Sequence, residues 1–299
     1  MFQAISKNKT KTTLIVGLIF LFFAAIIFFI SYYLLEMGYA AGIFAVIVSF
    51  IASFATYWNS DKIVLAMHKA RPATPEQDKQ LNNILEGLCI AAGTPKPRLY
   101  VMEDPALNAF ATGRNPEKGV ICVTTGLLKT LDYYQLEGVV AHELAHIRNY
   151  DMLLQTVAGI MIGAALIAAR TVSRITLNSG VGSRRSSRGG GGALIILIVG
   201  LLFVILAPIA GQLLKMSLSR NREFLADATA AQFTRNPEGL AGALEKISGS
   251  NIPLLNSSNA TEGMYIVTPY AELRSKKKSN PFSTHPPIEK RIEALRNLR

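Results

Sequence analysis

Four long stretches of the chain carry no charge: residues 13–35, 37–60, 152–169 and 189–214. A helix needs about 20 apolar residues to cross a hydrocarbon core ~30 Å thick. The first two stretches meet that length, and their join around Glu36, Met37 and Gly38 suits a tight hairpin. The first is too long for a signal peptide and lacks a small-residue cleavage site, so it is expected to remain in the mature protein. The third is marginal in length and rich in Gly and Ala. It fits close helix packing in lipid and also fits a buried core helix. The fourth is strongly apolar, with Pro208 placed to kink its end.

Between the second and third stretches the pattern changes to mixed polar and apolar. Leu136, Val139, Val140 and Ile147 recur at helical spacing, with Asp132 and Gln135 spaced as N-cap and N3. This predicts one helix over residues 133–150. Residues 71–77 form a loop leading into a helix over 78–92. GTPKPRLYVM turns and enters a strand, and GVICVTTG is a second strand with Gly126 ending it before a helix. MYIVTP reads as a third. Pro286 and Pro287 start a last helix, whose apolar stripe is Ile288, Ile292 and Leu295. The sum is a small sheet beside a helix layer. No internal repeat is visible.

Half of the residues are hydrophobic and 17% are charged, against roughly 25% in ordinary soluble domains. The net charge of +11 comes without any nucleic-acid motif, so nucleic acid is not an expected partner. The basic residues flank apolar spans and face anionic headgroups of a lipid bilayer. Cys89 and Cys122 make no disulfide framework and read as reduced packing residues. His68, in AMHKARP, reads as a membrane-interface residue, and the basic run 274–280 as a solvated loop.

Lys7, Lys9 and Lys11 precede the first stretch, and only Glu36 lies in the first hairpin. Positive residues favour the cytoplasm, which places the N-terminus and the region from Asp61 onward inside. The loop 170–192 strains this rule, since it holds Arg170, Arg174, Arg184, Arg185 and Arg188 without an acid. Early orientation can dominate, the later hairpin can stay shallow, or the loop can rest on headgroups across the membrane. Its Gly/Ser-rich part is expected to be disordered. The resulting segments are 1–12, a cytoplasmic N-terminus; 13–60, a hairpin; 61–151, the first part of a water-facing domain; 152–214, a second hairpin; and 215–299, the second part of that domain.

The predicted helix 133–150 carries His142, Glu143 and His146, an HExxH pattern. Residues four apart share a helix face, so the two imidazoles can bind one metal. Zinc lowers the pKa of a water in its open position towards about 7, and Glu143 is placed to take that proton and pass it to a leaving amine. A catalytic zinc wants three protein ligands. After the fourth stretch the chain reads SLSRNREFLADATAAQF, where Glu223 is a candidate third ligand. Asp227, one turn on, is placed to accept a hydrogen bond from a ligating His and fix its tautomer. The insertion between His146 and Glu223 is nearly all apolar hairpin, which returns the chain to the same membrane face.

HELAH followed by SRNREFLAD, with apolar hairpins before and between, closely resembles the HtpX-type heat-shock membrane metalloproteases, relatives of the membrane CaaX prenyl proteases. The resemblance runs from the first stretch to the HPP near the C-terminus. It implies an α+β integral membrane protein: a mostly helical, zincin-like catalytic domain with a small sheet, plus about four transmembrane or membrane-inserted helices in two hairpins. It implies one zinc per chain on His142, His146 and Glu223, with Glu143 as general base. LNAFATG, residues 107–113, resembles the family's NAFA segment, an edge strand beside the zinc along which substrate backbone lies. Backbone pairing suits a protease that must bind many sequences. Asn108, Ala109, Phe110 and Ala111 are the candidate substrate-binding residues, with an ordinary buried strand as the alternative. His285 matches the family's HP motif and would stabilise an oxyanion, its alternative being a surface or capping histidine. The implied setting is the inner membrane of a bacterium, multi-pass, with the catalytic domain facing the cytoplasm. Polypeptides, misfolded or damaged membrane proteins among them, are the implied substrates in quality control under stress.

Two readings of another class compete: a membrane zinc sensor or carrier without hydrolysis, and a lipid-associated scaffold with a structural zinc. A pure binding site has no need of Glu143, and a structural site is closed by four ligands where only three are evident. Arg148, Asn149 and Asp151 follow HELAH directly, and the two charges and the polar amide argue against its burial inside the bilayer. Oligomeric state and cleavage specificity leave no mark in the sequence.

Overall fold

The structure, a computed structural model, describes residues 40–152 apart from Gln77, residues 220–255, 264–267 and 285–298, and isolated positions before residue 40 together with Thr156. The first apolar stretch, most of the third, the fourth, the Arg-rich loop and the basic run 274–280 lie outside the described residues, apart from those isolated positions.

Helix α1 (Ala40–Trp58) runs almost directly into α2 (Ser60–Met67). Ile43, Ile47, Phe50 and Ile51 on α1 are exposed, an apolar run larger than isolated surface residues account for. Among the described residues, no helix is long and apolar enough to cross a membrane. His68 caps α2 and is buried, its Nδ1–H donating to the Val64 carbonyl at 2.7 Å. It is therefore part of the interior, unlike the interface position its sequence neighbours suggested.

β1 (Arg71–Pro72), β2 (Arg98–Met102), β3 (Ala109–Thr112) and β4 (Val120–Thr124) form one sheet in the order β1-β2-β4-β3. β2 pairs parallel with β4, and β3 antiparallel, in the register Ala109 to Val123 and Thr112 to Val120. β4 is central and buried at every position, as a near-continuous apolar run requires when both faces are covered. β3 is the edge. The β3–β4 turn needs Gly113, whose φ is 129° and whose absent Cβ would meet the Lys118 carbonyl oxygen at 2.5 Å. Of the expected third strand, MYIVTP, the described residues 264–267 show one bridge, between Tyr265 and Phe110, and its last two residues lie outside the described residues.

Helix α3 (Lys79–Ala92) matches its expected span, although Asp78 does not cap it. The Asp78 carboxylate instead takes Arg71 Nη1 and the Thr74 N–H, both at 3.0 Å. Thr124 caps α4 (Thr125–Thr130). Helix α5 (Tyr133–Arg148) begins with the capping box read from Asp132 and Gln135. α6 (Arg220–Thr234), α7 (Pro237–Gly249) and α8 (Ile288–Arg296) complete the helical layer. α7 lies against α5 at Gly138, where a Cβ would meet the Leu240 nitrogen at 2.6 Å. This close approach draws α5 into the core, where Val139, Val140, Leu144 and Ile147 are fully buried. The last helix presents Leu295 to the core, with Ile288 and Ile292 packed partly against it.

Candidate metal centre

Helix α5 sets His142 and His146 on one face, one turn apart, and α6 brings Glu223 to meet them. The ligand atoms of the three residues lie within 4.8 Å of one another, and all three residues are buried. His142 Nε2 is 3.1 Å from His146 Nε2 and 3.7 Å from Glu223 Oε2, and His146 Nε2 is 3.6 Å from Glu223 Oε1. A tetrahedron with metal–nitrogen distances of 2.0–2.1 Å has edges of about 3.3 Å, so the spacing suits zinc.

The donor chemistry agrees. His142 Nδ1 faces Asp227 Oδ1 at 2.9 Å, and His146 Nδ1 faces Asp151 Oδ2 at 3.4 Å. Asp151 accepts the hydrogen bond of His146 Nδ1–H, and Asp227 stands close to Nδ1 of His142 although that nitrogen completes no hydrogen bond; Nδ1 protonation leaves both Nε2 lone pairs and the Glu223 carboxylate pointing at one spot. Glu223 Oε2 is buried and accepts no hydrogen bond there. Three converging acceptors repel one another unless a cation sits among them. Burial opposes charge on His146, yet Asp151 and Glu223 overcome it and raise its pKa to about 9. For Glu223 burial is likewise overcome, by His285, His146 and Arg291, and its pKa falls to about 2. Burial lowers His142 below its ordinary value.

Glu143 is buried on the same helix. Burial raises its pKa to about 7, while the nearby cations and the Ala111 backbone N–H pull the other way. A carboxylate so placed can hold a proton near neutral pH and release it. Ala111 lies on β3, so this contact ties the acid to the edge strand. His285, just ahead of α8, is buried with Nε2 4.0 Å from Glu223 Oε2, and burial lowers its pKa. His142, Glu143, His146, Glu223, Asp227 and His285 are thus brought together, and of residues 108–111 the Ala111 backbone reaches Glu143. Asn108 donates from Nδ2 to the Val267 carbonyl, and Phe110 packs against His68 and Tyr265.

Two contributors were not singled out. Asp151 follows Tyr150, whose φ of 60° is left-handed; that reversal at the end of α5 turns Asp151 back onto His146. Arg291 is fully buried. Its Nε and Nη2 donate to the two Asp227 oxygens at 2.8 and 2.7 Å, and its Nη1 lies 3.5 Å from Glu223 Oε2. The sequence did hold a signal for it: position 291 falls within the apolar stripe of 288, 292 and 295, where a charge is out of place unless paired.

Residues 75–299 match the family model described as Peptidase family M48. The chain belongs to peptidase family M48. Relatives of this M48 chain include a "Protease HtpX homolog" of Dictyoglomus thermophilum, 46% identical over 99% of this chain and 94% of the relative. Another, from Listeria monocytogenes, is 42% identical over the whole of both. The crystal structure of S. mikatae Ste24p shares the fold, with a TM-score of 0.52 at 17% identity over 99% of this chain and 67% of that one. The M48 chain is a metallopeptidase. Its family is zinc-dependent, and the His142, His146 and Glu223 cluster is compatible with that ion.

Proposed function

We propose that the chain is a membrane-bound zinc endopeptidase that cleaves misfolded or damaged membrane proteins, with its catalytic domain facing the cytoplasm. The reading rests most on one observation: three buried acceptors converge on a point beside a buried Glu143 on the helix of the two histidines. His142, His146 and Glu223 would hold one zinc. When bound, zinc supplies a Lewis acid that polarises a carbonyl and lowers the pKa of a water towards about 7.

Glu143 takes the proton of the attacking water and delivers it to the leaving nitrogen, a shuttle suited to a carboxylate that titrates near neutrality. Asp227 and Asp151 hold the two imidazoles in the tautomer that presents Nε2. Arg291 fixes Asp227. His285 stands on the Glu223 side of the cluster, where a donor can meet the oxyanion. β3 offers its edge to substrate backbone. Membrane attachment draws support from the uncharged stretches and from the exposed apolar run of α1.

The test is proteolysis of an unfolded membrane protein by the purified full chain, wild type beside Glu143→Gln, with zinc measured in both. About one zinc in each, with cleavage lost at least ~10³-fold in the variant, is expected of a missing general base. Equal cleavage by both proteins would remove Glu143 from the mechanism, and zinc in both with cleavage by neither would remove the peptidase reading.

A further inference from the structure

A substrate strand along β3 would have to meet the outward groups of Ala109 and Ala111. The Ala111 N–H is engaged by Glu143, and the Ala109 carbonyl is engaged by a second segment of the chain. The Ile266 N–H donates to the Ala109 carbonyl at 3.0 Å, and Tyr265 stands opposite Phe110 in antiparallel register. Asn108 Nδ2 donates to the Val267 carbonyl at 3.0 Å. From the other side, Arg291 Nη1 donates to the Ile266 carbonyl at 3.1 Å. The same guanidinium reaches Asp227 and Glu223. Residues 264–267 are therefore held between the edge strand and the metal-ligand cluster, where a substrate backbone would lie.

The side chains are seated as a bound peptide's would be. Tyr265 is buried, its ring edge-on to Phe110 at 5.7 Å between centroids. His68 keeps its Nδ1 proton on the Val64 carbonyl, so its Nε2 accepts from the Tyr265 hydroxyl at 2.5 Å. Ile266 and Val267 pack into the main core. Among the described residues the pairing to β3 is a single bridge.

We infer that residues 264–267 are an internal stand-in for substrate: the segment occupies the β3 edge in the resting protein, is seated by the Tyr265–His68 contact, and must leave before a polypeptide can pair there. The inference rests on the peptidase reading above. It carries a quantitative consequence, because a binding site open only part of the time shows an apparent affinity reduced by that fraction. Removing the Tyr265 ring and its hydrogen bond weakens the occupant and so tightens substrate binding.

Two measurements on the full-length protein test this. In the Glu143→Gln protein, amide exchange is compared with and without a saturating unfolded polypeptide, whose binding is followed by anisotropy. Exchange over 264–267 is expected to accelerate on binding, while 120–124 stays protected. Binding without acceleration at 264–267 overturns the inference alone; no polypeptide binding overturns it together with the peptidase reading. In the second, Tyr265→Ala is expected to lower KM for the unfolded polypeptide about tenfold, with kcat unchanged, as loss of one hydrogen bond and one ring contact would give. A KM that is unchanged or raised, in a variant that retains its zinc, overturns the inference. Should Tyr265→Ala fail to fold, the exchange experiment decides, since it leaves Tyr265 intact.

Discussion

Arg291 and Arg296 stand five residues apart on α8, on opposite sides of the helix, and each grips carboxylates with several nitrogens. Arg291 is fully buried and holds both oxygens of Asp227. Arg296 keeps 42% of its side chain exposed, with Glu238 at 2.8 Å and Glu245 at 2.9 Å. The hydrogen-bond geometry is alike; the surroundings are not. Burial disfavours the charged form of Arg291, and Asp227 more than offsets it. A buried ion pair is seldom more stable than apolar side chains of the same size, but removal of one partner strands the other. The inner pair therefore earns its place through position: it aims Asp227 at His142. The outer pair has water as a ready alternative on every side.

The largest expected effect follows from that asymmetry. Arg291→Met leaves Asp227 as a buried carboxylate without its guanidinium and is expected to lower unfolding stability by about 3–5 kcal/mol, measured by denaturant titration. Adding Asp227→Asn to that variant should recover part of the loss, because the stranded charge is gone. Strictly additive losses would mean that the two residues do not act as a pair.

Metal removal comes next. With zinc at ~100 times its dissociation constant, binding stabilises the folded state by about 2.7 kcal/mol. For a domain of this size each kcal/mol moves the midpoint by about 2–4 °C, so chelation is expected to lower it by about 5–10 °C. The shift should shrink in Arg291→Met, which loosens His142 through Asp227, and persist in Arg296→Ala. Equal shifts in both variants would show that the inner arginine does not support the metal ligands.

What the sequence revealed here divides along the same line. The capping box of α5, the HExxH face and Glu223 were readable because each depends on spacing within one helix or on ligand chemistry. The β3 edge was readable from a short motif. Asp151 was not, because its approach to His146 depends on a left-handed Tyr150 that no side chain announces. Arg291 stood out only as a charge in an apolar stripe; its partner was not readable, because Asp227 lies 64 residues away in sequence. His68 looked interfacial because its neighbours are basic, yet Tyr265, distant in the chain, supplies the hydroxyl that lets the imidazole be buried. Local periodicity tells which face is apolar; it does not tell which polar residue on that face has found a partner.

The smallest effect tests the outer side. Arg296→Ala is expected to leave the denaturation midpoint unchanged within error at physiological salt. The guanidinium is well exposed, its attraction to Glu238 and Glu245 is screened, and holding a long side chain in one geometry costs entropy that cancels most of the gain. Glu238 also sits in the first turn of α7, where the helix dipole favours it with or without Arg296. Any residual loss should appear only at low ionic strength and vanish as salt is added. A loss as large as that of Arg291→Met, persisting in high salt, would show that α8 is docked by its outer edge. The contrast between the two arginines would then owe nothing to burial.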